Sequence, residues 1–219
     1  MPSALRSSLV LLSSALLLST PTLAYDTPLS EQAVREAYFL GQRRDESMYG
    51  FLNKYTKVLP PPKTGPSIHS VTFLTPFALL VQYSSQQANY SAQQAAIDHK
   101  GHDEIVEIRI EILLTQSYGA ILSTPKASRS GAPLGFQMRS PEFWRAFKYR
   151  IFDGDEEITT DDLTGEPQFL CSEGGCILTG ATVYIRFPAP AFTSGSAAIE
   201  VTPREGDPVS VDFDLSSFR

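Results

Sequence analysis

Seven consecutive residues concentrate more ligand chemistry than any other stretch of the chain: Asp98-His99-Lys100-Gly101-His102-Asp103-Glu104. Two of the three histidines stand here in His-x-x-His spacing, among three carboxylates. Asp98, His99, His102 and Asp103 form a set that a divalent transition metal accepts, and Gly101 supplies the bend that would turn both imidazoles toward one point. The competing reading is a solvated hairpin tip ahead of a strand that begins at Ile105. A second cluster, Asp153-Gly154-Asp155-Glu156-Glu157, places the oxygen ligands Asp153, Asp155 and Glu157 at alternate positions, which suits calcium. It departs from the EF-hand pattern, because Ile158 stands where glycine is wanted and Thr164 where a bidentate glutamate is wanted. The plainer reading there is an acidic turn between strands.

Nucleophilic catalysis has little to build on. Thr193-Ser194-Gly195-Ser196 lacks the Gly-x-Ser-x-Gly elbow. Phosphate-cradling glycine-rich loops are absent. His69 falls among apolar neighbours on a strand pattern, the place of a core or edge histidine. Cys171 and Cys176, in Cys-Ser-Glu-Gly-Gly-Cys, are the only cysteines. They lack the further soft ligands that zinc takes, and their spacing is not that of the usual redox pair. In an oxidising compartment they are expected to close as a short structural disulfide.

That compartment is indicated by the N-terminus. Arg6 precedes an uncharged apolar run, Leu9–Leu18, then Pro21 and Thr22-Leu23-Ala24. This is the three-part pattern of a cleavable signal peptide, residues 1–24, and the apolar run is too short to span a bilayer. The expected location is secreted or periplasmic. Against 18 Lys and Arg stand 24 Asp and Glu, a formal net charge of −6. That balance repels phosphate backbones and argues against nucleic acid as a partner. No later stretch is apolar enough to span a membrane after signal cleavage. A protein or glycan ligand is what remains, with no cofactor indicated beyond the divalent metal considered above.

The elements that must position these residues change character near the middle of the chain. Residues 25–59 carry helical spacing: Val34, Ala37, Tyr38 and Gly41 on one stretch, then Met48, Phe51, Leu52, Tyr55 and Leu59 on another. Ser30 and Asp45 stand as N-caps. Pro60-Pro61-Pro62 ends this segment, and residues 60–66 form a stiff proline-rich linker. Residues 67–219 then alternate with period two. Val71 and Phe73 alternate, as do Phe77, Leu79, Val81 and Tyr83, although Leu80 makes that strand apolar on both faces. The pattern continues through Val106–Ile112, Phe147–Ile151, Val183–Phe187, Ile199–Val201 and Val209–Leu215. About seven short strands of this kind predict a mainly β fold, an antiparallel sandwich of immunoglobulin-like or C2-like type, with an N-terminal helical segment. Residues 84–96 read as a loop or short helix, and 124–141 as a long surface connection. Trp144, the sole tryptophan, reads as a core anchor.

Arg35-Glu36-Ala37-Tyr38-Phe39-Leu40-Gly41, followed by Lys63-Thr64-Gly65-Pro66, resembles a family of uncharacterised exported bacterial proteins. The resemblance covers the N-terminal third of the mature chain. It implies export and a helix-then-β layout, but no activity and no catalytic residues. Together these readings describe an exported, non-enzymatic binding or envelope-associated module. The alternative is a metal-dependent hydrolase using the His/Asp cluster at 98–104.

Overall fold

The computed structural model describes residues 24–124 and 135–219. The expected signal peptide therefore lies, apart from Ala24, outside the described residues. Two helices come first, α1 (Glu31–Arg43) and α2 (Glu46–Asn53). Ser30 Oγ accepts the Ala33 N–H at 3.1 Å, and Asp45 Oδ1 accepts that of Ser47 at 3.0 Å, so both expected caps are in place. The expected helical segment ends earlier than its pattern suggests. Thr56–Val58 is a strand, β1, which pairs antiparallel with β2 (Ser67–Leu74). The proline-rich linker is pinned to the body: Thr115 Oγ1 donates to the Gly65 carbonyl at 2.6 Å, and the Gly65 N–H donates to Ser117 Oγ at 2.9 Å.

The residues expected to form a strand after Pro76 form a helix, α3 (Pro76–Gln86). Thr75 caps it, and Pro76 sits in the first turn, where its missing N–H costs nothing. Phe77, Ala78, Val81 and Ser84 are buried, a helical stripe, whereas Tyr83 is exposed. Leu80, apolar on what would be the strand's second face, fits a helix and a doubly buried strand alike. Another helix, α4 (Ala92–Lys100), follows, capped by Ser91. The heptad at 98–104 is thus the end of a helix and the entry to β3 (Ile105–Leu113), not a hairpin tip.

The remaining strands are β4 (Ile121–Thr124), β5 (Gly135–Met138), β6 (Lys148–Asp153), β7 (Glu156–Ile158), β8 (Leu163–Ser172), β9 (Gly175–Pro188), β10 (Ser196–Thr202) and β11 (Val209–Asp214). Residues 124–141, expected as one surface connection, thus include a strand, β5, which pairs antiparallel with β4; residues 125–134 lie outside the described residues. All strand pairings among the described residues are antiparallel. One sheet has the order β1-β2-β3-β9-β8 and another β11-β10-β6-β7. Their apolar faces share one core: Val71, Phe73, Ile108, Ile110, Val183 and Ile185 from the first join Ile151, Ile199, Val201, Val211 and Phe213 from the second. Phe73 meets Phe213 across the layers, ring centres 5.8 Å apart. This is the two-layer antiparallel arrangement that alternating strands favour. Trp144 is buried against β8 at Gly165, where a β-carbon would come within 2.4 Å of the indole.

The helices make a further layer with its own core of Val34, Ala37, Met48, Phe77, Val81 and Ala95. Helices from both sides of the linker build it. Gly41 of α1 lets the backbone of α3 approach closely, since a β-carbon there would lie 2.3 Å from the Val81 carbonyl oxygen. From α3, Gln82 accepts a hydrogen bond from Arg109 of β3 at 3.1 Å, which ties this layer to the polar face of the larger sheet.

Candidate functional site

Where α4 ends, the chain must turn sharply to enter β3. Gly101 closes the helix with its N–H on the Asp98 carbonyl at 3.2 Å, and the His102 N–H bonds to the His99 carbonyl at 3.3 Å. The turn delivers Glu104 beneath the helix end. Its carboxylate is a junction. Oε1 accepts the Leu29 N–H at 2.6 Å and lies 3.0 Å from His99 Nε2, and Oε2 accepts the Thr27 hydroxyl at 2.7 Å. The Glu104 carbonyl takes the Ala189 N–H at 2.9 Å. One residue thereby fastens the N-terminal strap 24–30, the end of α4 and the end of β9 to one another. Tyr25 completes the seam: its buried hydroxyl donates to the Ala189 carbonyl at 2.7 Å. Burial raises the phenol's proton affinity, and the nearby Asp153 and Glu104 carboxylates raise it further.

Between these parts lies a cleft of about 1020 Å³. Pro28 and Leu29 form one wall, Phe187, Pro188 and Pro190 another, with Ile105 between; His99, His102 and Asp103 reach it from the helix end. Arg186 and Asp162 also line it. Arg186 is held from two sides, its Nε 2.8 Å from Glu107 Oε2 and its Nη1 3.5 Å from Asp162. Glu107, almost fully buried, also takes Arg109 at 2.7 Å. The register explains the pairing, because Glu107 of β3 stands directly opposite Arg186 of β9.

The structure brings His99, His102, Asp103 and Glu104 to this one cleft but turns Asp98 away. The Asp98 carboxylate accepts the Tyr90 hydroxyl at 2.9 Å and Gln94 at 2.6 Å. His102 Nδ1 contacts the Asp98 carbonyl at 2.8 Å, and His99 is engaged with Glu104. Among the described residues no three His, Cys, Asp or Glu side chains form a metal-holding group. The acidic cluster at 153–157 is the β6–β7 turn. There Asp153 pairs with Glu156 and Phe152 with Glu157, so Asp153 and Glu157 point to opposite faces of the hairpin. Asp153 is bound by the N–H and hydroxyl groups of Thr193 and Ser194 at 2.6–2.9 Å. Its carboxyl is held below the usual range: burial, the largest single influence, acts upward, but the four donors together outweigh it. Glu157 is engaged by Arg150 at 2.8 Å, and Asp155 is exposed. Cys171 and Cys176 form the expected disulfide, in register across the β8–β9 hairpin.

Sequence reasoning did not single out Glu107, Arg186 or the junction role of Glu104. The one available sign was opposite charge on two period-two patterns, Glu107 and Arg109 in one and Arg186 in the other. His99 beside Glu104 is an oriented imidazole. Acyl transfer would also need a nucleophile, and neither serine nor cysteine lines the cleft among the described residues. Of its hydroxyls, Thr27's is committed to Glu104. No helix among the described residues is long and apolar enough to cross a membrane. No protein-family model matches the chain, and comparison with curated proteins finds no match.

Proposed function

We propose that the chain is an exported, non-enzymatic binding module whose ligand occupies the cleft between the strap 24–30, the end of α4 and the end of β9. The observation that carries this reading is the cleft's construction: walls of proline, leucine, isoleucine and phenylalanine, with most of the charged groups at its margins already matched inside the protein. Matched groups hold a shape and are poor reactants; an apolar hollow with a few polar groups at its edge is the usual form of a small-ligand or peptide-segment site. Export is supported by the N-terminal pattern and by the disulfide. The metal-hydrolase alternative has less support, since both imidazoles and the Asp98 carboxylate have partners within the fold.

The test uses N-phenyl-1-naphthylamine, a neutral apolar fluorophore, titrated into the processed protein and into Thr160→Trp, which places an indole at the cleft margin. Saturable binding that weakens about tenfold or more in the variant is expected. Unsaturable fluorescence, or equal binding by both proteins, would overturn the reading.

A further inference from the structure

The chain has two asparagines, Asn53 and Asn89. Asn53 is followed by Lys54 and Tyr55. Asn89 opens the run Asn89-Tyr90-Ser91-Ala92: an asparagine, a residue other than proline, and a hydroxyl side chain two positions on. That spacing is the acceptor pattern for N-linked oligosaccharide, and the pattern belongs on a surface loop of a secreted protein.

Asn89 occupies such a place. It lies in the turn between α3 and α4 and is exposed. The turn is fastened to α1 and its end on both sides of this residue. Arg44 donates to the Gln87 carbonyl at 2.8 Å, and the Tyr38 hydroxyl donates to the Tyr90 carbonyl at 2.8 Å. Between these two anchors the Asn89 side chain makes no hydrogen bond among the described residues. A bulky substituent on its amide would therefore extend into solvent and break no contact of the fold. Asn89 is also absent from the lining of the cleft, so a substituent there leaves the proposed ligand site open.

We infer that Asn89 is the acceptor for an N-linked oligosaccharide. The inference rests on the export proposed above and not on the cleft. The donor is an oligosaccharide carried on a polyprenyl diphosphate. Asn89 Nδ2 forms a bond to C1 of the first sugar, the bond from C1 to the diphosphate oxygen breaks, the lipid diphosphate leaves with that electron pair, and the amide gives up one proton. The finished fold fixes when this happens. Ser91 Oγ accepts the Gln94 N–H at 3.1 Å as the cap of α4, so the hydroxyl that the pattern requires is free only before that helix closes. Transfer belongs to the chain during translocation.

Both residues also serve the fold, and the test must separate the two roles. Asn89 has a positive φ of 58°, which glycine adopts freely, and aspartate caps a helix as well as serine does. Asn89→Gly and Ser91→Asp thus remove the acceptor pattern and keep the turn and the cap, whereas Ser91→Thr keeps all three. The full chain and these variants are expressed in a yeast with residues 1–24 in place. Medium and cells are treated with peptide-N-glycosidase and compared by electrophoresis and peptide mass spectrometry. The parent and Ser91→Thr should appear in the medium and step down in mass on treatment, with residue 89 converted to aspartate. Asn89→Gly and Ser91→Asp should show no step and should melt at the temperature of the enzyme-treated parent. Parent secreted without sugar, sugar retained by Asn89→Gly or Ser91→Asp, or sugar lost from Ser91→Thr would overturn the inference alone. Parent kept in the cells with residues 1–24 uncleaved and no sugar would overturn the inference together with export.

Discussion

Single side chains in this molecule act mainly as fasteners. Asp153 is the clearest. Its carboxylate gathers two backbone N–H groups and two hydroxyls, joining the β6–β7 turn to the loop that precedes β10. Hydrogen bonds to a charged acceptor contribute more than neutral ones, and Asp153→Ala is expected to destabilise by about 1.5 kcal/mol at pH 7. The pH dependence has a definite sign. The folded-state pKa lies below the unfolded one, so this contribution is complete above the ordinary aspartate range, about 3.9, and is lost as pH falls through the lower folded value. Urea titrations of both proteins between pH 7 and pH 2.5 should show the gap between them closing at the acid end; a gap independent of pH would count against the assignment. At this scale the sequence was partly legible. The heptad at 98–104 stood out because histidine among carboxylates is rare, and four of its side chains, His99, His102, Asp103 and Glu104, line the cleft. The partners of its neighbours were not visible. Glu107 and Arg186 meet across 79 residues, and only the register of β3 against β9 determines that they do.

At the level of elements, the close approach of α1 and α3 controls the helical layer. Gly41→Ala would push a β-carbon into the Val81 carbonyl, and backbone cannot yield as a side chain can. A loss of about 1–3 kcal/mol is expected, read as a lower urea midpoint, although alanine is the better helix former in isolation. A midpoint unchanged or raised would mean that the helices pack less tightly than described. This same helix pair separates the readable from the unreadable. Caps at Ser30 and Asp45 are local hydrogen-bond chemistry and could be foreseen. Helix α3 could not be told from a strand by alternation, because Phe77, Leu79, Val81 and Tyr83 satisfy period two while Phe77, Ala78, Val81 and Ser84 satisfy the helical stripe. What settled the matter was packing on α1, a contact between distant parts of the chain.

Across the whole molecule, two antiparallel sheets hold one apolar core and a helical layer holds another. The change from helical to period-two spacing near Pro60 correctly signalled a mainly β body, since alternation on β3, β6, β9, β10 and β11 is imposed by burial of one face. The disulfide stands outside both cores, near the tip of the β8–β9 hairpin. It closes a loop too short to restrict the unfolded chain greatly. Cys171→Ser/Cys176→Ser is therefore expected to lower stability by no more than about 2 kcal/mol and to leave a single cooperative melt; a split transition would show the hairpin to be integral to a core. Trp144 carries a practical corollary. It is the chain's one indole, and it is walled off from water against the Gly165 backbone of β8. Its emission is thus an optical gauge of a single joint. A shift toward longer wavelength, seen while circular dichroism holds steady, would time the detachment of that edge strand from the rest of the protein without any added label.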